Sequence, residues 1–214
     1  MICCDTKQSD LDALVHCHEK AFPDALSTKL GHKFCSRMLS WYIESDRGVM
    51  FHLQPENEII GYVGGILVRS PGLPGSATSI TQHSFNAFIR AFILRPWLFF
   101  HPENLKRFSF IRRNIRLKIG SHRKKTNLPA QPVPQNFIPS MGLVVIGLSP
   151  KHQGKGFGSV LLREFEGRAR KEGFKKINLS VKNSNFQAIA AYKKNGWEID
   201  REGEKELSMF KILE

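Results

Sequence analysis

Apolar positions first recur at helical spacing. Between Ser9 and Phe22, the residues Leu11, Leu14, Val15, His18 and Phe22 share one face, Ser9 with Asp12 forms a capping-box-like start, and Pro23 stops the segment. The same period predicts a second helix over Ser27–Glu44, with Phe34, Met38, Leu39 and Tyr42 apolar. The period then drops to two at Val49, Phe51 and Leu53, which predicts a strand; Pro55–Asn57 reads as a turn and Ile59–Val68 as the returning strand of a hairpin. After residue 140 comes an unbroken apolar run, Met141–Leu148, as in a strand buried on both faces. Phe157, Leu161 and Phe165, four apart, predict a helix over Phe157–Lys171 with Gly173 as its C-cap. Ile177, Leu179 and Val181 alternate with polar residues as a strand does. Ser184 with Gln187 reads as a capping box for a helix ending near Asn195 and Gly196, and strands over 197–200 and 207–213 follow. With a short strand at residues 1–5, the order is ααββ, an insertion, then βαβαββ: an α/β layered domain.

The insertion, Ser70–Ser140, differs in character. It opens on SPGLPGS, closes on NLPAQPVPQNFIPS, and holds a helical block predicted over Phe85–Ile119. From Arg90 to Lys125 there are eleven Lys or Arg residues against Glu103 alone. That density carries most of the net charge of +13, from 32 basic and 19 acidic residues. A surplus of this size points to an anionic partner: a phosphorylated ligand, a nucleic acid or an anionic membrane surface. The 214 residues suit one domain, 1–214, with the basic insertion at about 70–140. Cys3, Cys4, Cys17 and Cys35 contain no CxxC pair and suggest neither a disulfide framework nor a zinc site, so no metal is expected. MICCDTKQSD lacks the form of a signal peptide, and no run of about 18 apolar residues exists, so the expected compartment is the cytoplasm.

The candidate chemistry lies in SPKHQGKGFG. Gly154, Gly156 and Gly158 remove side chains ahead of a helix N-terminus, so that backbone N–H groups can converge on an anion supported by the helix dipole. A pyrophosphate is the natural guest, with Lys155 as an added charge. The spacing fails the Walker A pattern. It also fails the Rossmann fingerprint, and the strand that follows ends without the acid the ribose would need.

Gln153, Gly156 and Gly158 match QxxGxG, the acyl-CoA motif of the GNAT superfamily, and Asn185, Ala188, Tyr192, Gly196 and Trp197 match its second motif. The chain thus resembles a GNAT N-acetyltransferase, well over Met141–Leu213 and more loosely before it. The resemblance implies a mixed, mostly antiparallel central sheet with splayed fourth and fifth strands and helices on both faces. It implies acetyl-CoA as acyl donor, its pantetheine arm added along the backbone of Ile146 and Leu148. Its pyrophosphate would lie on the amides of Gln153, Gly154, Lys155, Gly156, Phe157, Gly158 and Ser159, and Asn185 would contact the cofactor. Tyr192 would stand near the sulfur as the catalytic residue, by positioning as much as by proton donation. The fourth strand lacks the glutamate that some members use as base; Asp24, His83, His122 or a water remain open for that role. His152 reads as a solvated loop histidine.

Two functions follow. One is direct transfer of acetyl from acetyl-CoA to a primary amine on a small acceptor, anionic or sugar-linked. The alternative is a membrane- or nucleic-acid-binding surface in the basic insertion, beside a vestigial or regulatory acyl-CoA site. A homodimer is left open.

Overall fold

The computed structural model describes residues 3–56, 58–97 and 137–214. Among them, seven strands form one sheet in the order β1-β2-β3-β4-β5-β7-β6: β1 Cys3–Asp5, β2 Gly48–Leu53, β3 Gly61–Val68, β4 Ser140–Leu148, β5 Lys176–Lys182, β6 Glu198–Glu202 and β7 Glu206–Ile212. Every neighbouring pair is antiparallel except β4 and β5.

Two apolar clusters place helices on both faces. On one, helix α6 (Phe157–Lys171) sets Leu161, Leu162 and Phe165 against Phe51, Val63, Met141 and Ile177, and Tyr192 of α7 (Phe186–Lys194) joins them. On the other, α1 (Leu11–Ala21) and α3 (His32–Glu44) bring Leu14, Val15 and Leu39 onto Met50, Tyr62 and Ile66. Strand β3 serves both through its alternation, Val63 and Leu67 facing α6 while Tyr62 and Ile66 face α1.

The expected helix over 27–44 is two helices. α2 is Leu26–Leu30, and α3 begins at His32 after Gly31, whose φ is +96°. The Arg95 guanidinium packs where a Gly31 side chain would stand and donates to Lys29 O at 2.6 Å. The first helix is also shorter than expected, preceded by a 3-10 turn at Gln8–Asp10; the acid that closes it is Asp10, accepting from Lys7 N–H at 2.8 Å. Helix α4 (Ser76–His83) was not expected, and it leads into α5 (Phe85–Leu94). The remainder of the expected helical block and nine of its eleven basic residues lie outside the described residues.

Both C-terminal helices close on glycines. After α6, Gly173 (φ +78°) donates to Arg170 O and Phe174 N–H to Ala169 O, each at 2.9 Å. After α7, Gly196 (φ +78°) and Trp197 bond Lys193 O and Tyr192 O in the same pattern. This is the Schellman closure, which needs the left-handed residue that glycine supplies.

Candidate active site

Strand β4 holds two kinds of partner. It pairs with β3 along its length, but with β5 only over Ser140–Leu143. The register with β3 shifts between Gly64 and Gly65, which face Val145 and Leu143 and leave Val144 as the extra residue of a β-bulge. The bulge resets which face each side chain takes. Met141 and Leu143 pack in the α6 cluster; beyond Val144 that face passes to Ile146 and Leu148, while Val145 turns to the α1 side. The expectation of a strand buried on both faces therefore fails at its second half. Val144 is exposed and Val145 and Ile146 are half-buried, because β5 has left.

The direction of the freed backbone follows from the register. Ser149 N–H donates to Ile60 O, so 60–149 is a hydrogen-bonded pair, and bonded pairs alternate along an antiparallel ladder. Val63–Ile146 and Gly61–Leu148 are then the non-bonded pairs. The N–H and C=O of Ile146 and the N–H of Leu148 point away from β3, toward the opening. Leu148 O is taken by the Gln153 side chain, whose Nε2 donates to it at 3.1 Å.

The loop that follows runs through a 3-10 turn at Pro150–His152 into α6. Gly154 (φ +74°) and Gly156 (φ +85°, the N-cap of α6) are both left-handed, and a Cβ built on either meets nothing within 4 Å. Gln153 N–H is already bonded to Pro150 O and Ser159 N–H to Gly156 O. Among the described residues, the amides of Gly154 to Gly158 have no such partner. Sequence reasoning included Gln153 and Ser159 in this row. The Gln153 side chain braces β4, and Ser159 Oγ accepts from Asn195 Nδ2 at 3.1 Å, tying α6 to the end of α7. Lys155 is exposed, and Phe157 and Gly158 are half-buried.

Tyr192 is buried, at 8% exposure, with its ring 5.9 Å from Trp197. Burial pushes its phenol up to about 12. Asn185, exposed, is the N-cap of α7: its Oδ1 accepts from Ala188 N–H at 3.2 Å, a role that the sequence assigned to Ser184. His152 is not simply solvated. Its Nδ1 lies 2.9 Å from Ser149 Oγ and its ring packs on Phe157. Of the candidate bases, Asp24 pairs with Lys29 at 3.2 Å, His83 lies 3.1 Å from Ser40 Oγ between α4 and α3, and His122 is outside the described residues.

One group under the opening was recognised in the sequence only as core. His18 of α1 places Nδ1 2.5 Å from Tyr62 Oη and Nε2 3.0 Å from Ser27 Oγ. Tyr62 is fully buried, opposite Gly147, where an added Cβ would stand 2.7 Å from the Tyr62 ring and 3.0 Å from Phe22. Helical spacing put His18 on the inner face of α1, but its partners come from β3 and α2 and have no sequence signal.

Residues 134–197 match the model of the acetyltransferase (GNAT) family. An uncharacterised protein of Bacillus subtilis, YxbD, is 37% identical over 57 residues, 27% of this chain and 36% of that protein's length. Among solved structures, the ribosomal-protein-S18-alanine N-acetyltransferase of Escherichia coli superposes with a TM-score of 0.56 at 14% identity, covering 99% of this chain and 93% of that one. The PaiA N-acetyltransferase of Thermoplasma acidophilum, in complex with coenzyme A, gives 0.54 at 12% identity over 99% and 98% of the two chains. The chain therefore has the GNAT fold, and its residues 134–197 carry the sequence signature of the acetyltransferase (GNAT) family.

Proposed function

We propose that the protein is an acetyl-CoA-dependent N-acetyltransferase that transfers acetyl directly to a primary amine of a small acceptor, anionic or sugar-linked. The observation that carries this reading is the parting of β4 from β5 after Leu143, beside a glycine loop whose amides from Gly154 to Gly158 have no backbone partner among the described residues. An extended amide chain fits the first and a pyrophosphate the second, and one cofactor carries both. The structure related to this one in complex with coenzyme A supports the same ligand. The cofactor would be held by Ile146, Leu148 and the loop through Phe157 and Gly158, with Lys155 adding charge and Asn185 at the far rim.

In the reaction, a neutral amine attacks the thioester carbonyl and the C–S bond breaks from a tetrahedral oxyanion. A freed N–H of β4 is the donor available to that oxyanion. Tyr192 then serves the thiolate as a hydrogen-bond donor. A phenol near 12 facing a thiol near 8.5 makes full proton transfer uphill by about 5 kcal/mol, so the proton comes from the attacking nitrogen, which carries it in the tetrahedral intermediate, or from water. The four cysteines are free thiols, in keeping with a reducing, cytoplasmic setting. Among the described residues no helix is long and apolar enough to cross a membrane.

Calorimetric titration of acetyl-CoA tests the reading, with Gly156→Glu/Gly158→Glu as the control. Two carboxylates at the pyrophosphate position introduce like charge and fill the space that the glycines leave open. Micromolar binding by the native protein and a loss of at least ~100-fold in the variant is the expected outcome. Equal binding by both, or none by the native protein, overturns it.

A further inference from the structure

Three residues from two helices converge on the face of α1 away from the sheet. Asp12 and His16 stand one turn apart on α1, and His32 comes from the first turn of α3. One ligand atom from each lies within 4.8 Å of the others. His32 Nε2 is 3.0 Å from Asp12 Oδ1, and the His16 and His32 rings lie with centroids 5.0 Å apart.

The outer contacts of the two histidines give the cluster its meaning. His16 Nδ1 lies 2.9 Å from the Asp12 backbone oxygen, and His32 Nδ1 lies 3.5 Å from Glu19 Oε1. His16 Nδ1–H donates to that carbonyl and leaves the lone pair on its Nε2; His32 donates from Nε2 to Asp12 Oδ1, a proton that a bound ion would displace, with Glu19 at its other ring nitrogen. A metal-bound histidine characteristically gives its second ring N–H to a carbonyl or carboxylate, which fixes its tautomer. His16 meets that condition through the backbone, and Glu19 stands beside the His32 ring nitrogen that would meet it once an ion replaces the Nε2 proton.

We infer that Asp12, His16 and His32 form a site for a divalent transition ion of the zinc class, with Glu19 as the positioning carboxylate. Two imidazoles and one carboxylate suit Zn2+ or Cu2+ rather than Mg2+ or Ca2+. Donors around a tetrahedral ion stand about 3.3 Å apart, so the side chains close by about an ångström on binding, and Asp12 and His16 are exposed enough to do so. The remaining coordination position opens to solvent, and the bound ion ties α1 to α3. No short motif marks this set, because His32 comes from a second helix, 16 residues after His16.

Tag-free protein titrated with Zn2+ by calorimetry tests the inference, together with Cu2+ electron paramagnetic resonance. Expected are one equivalent bound, hyperfine structure from two nitrogens, and a Zn2+-dependent rise in Tm. His16→Ala and His32→Ala each lose at least ~10-fold in affinity, Glu19→Gln loses less, and Cys3→Ser/Cys4→Ser binds as the native protein does. All five positions are at least partly exposed, and circular dichroism melts without metal check that each variant is folded. No binding, binding unchanged in the histidine variants, or binding lost in the cysteine variant overturns the site.

Discussion

Tyr192 shows how a residue can answer to two demands. As the third residue from the end of α7 it packs against Trp197, the third residue beyond the helix, and so completes the Schellman closure as well as the core. Removing the ring and removing the hydroxyl should therefore separate. Tyr192→Ala leaves a cavity and is expected to destabilise the fold by about 3–5 kcal/mol in urea unfolding. Tyr192→Phe keeps the packing; it should leave Tm within a few degrees and acetyl-CoA affinity nearly unchanged while lowering kcat. An unchanged kcat in Tyr192→Phe would leave the residue as core alone. The sequence motif identified the position, but it could not show that the ring is needed for folding, because that depends on Trp197 being brought back over it.

Between elements, His18 holds α1 to β3 and α2 through a buried polar chain, Ser27–His18–Tyr62. Desolvation pushes its imidazole down to about 4, against about 6.5 in an unfolded chain. Between those values the unfolded chain takes a proton that the folded one refuses. Stability is thus complete above pH ~6.5 and falls as pH drops toward 4, by up to about 3 kcal/mol. Burial shifts His83 in the same direction, so the informative quantity is a difference. Urea unfolding between pH 7.5 and 4.5 should show a shallower pH slope for His18→Gln than for the native chain; equal slopes would rule His18 out as the group.

The elements that sequence placed well are those that end on their own local signals. Phe157–Lys171 was read residue for residue, and Gly173 and Gly196 close helices as glycines do. The elements it misplaced take their limits from afar. At the break between α2 and α3, the side chain that packs on Gly31 is Arg95, sixty-four residues later. α4 has Ser, Thr and Ala where an apolar stripe would announce a helix. The bulge at Val144 sits inside a run of apolar residues with no period to interrupt.

At the scale of the whole molecule, the sheet is two sub-sheets, β1–β4 and β5–β7–β6, joined by four residue pairs of parallel ladder. The α6 core spans the join, with Phe51 and Val63 from one side and Ile177 and Met209 from the other, so that the two halves share one apolar interior. A second tie crosses from α6 to β7: Lys211 Nζ donates to Glu166 Oε2 at 2.9 Å and to Asn195 O at 2.8 Å. The opening thus stands over one continuous packed core.

The alternation along β4 carries over to solvent exchange. Val145 and Gly147 turn their amides to β3, whereas Ile146 and Leu148 turn theirs to the gap. In deuterium oxide, neighbouring amides of one strand should therefore exchange on different clocks, the second pair as fast as a sheet border and the first pair only on larger opening. Acetyl-CoA should slow the fast pair and leave the slow pair nearly as it was; four equally protected amides in the free protein would mean that the gap is closed in solution. The middle of a seven-stranded sheet would then be tuned, amide by amide, between permanent hydrogen bonds and ones held in reserve.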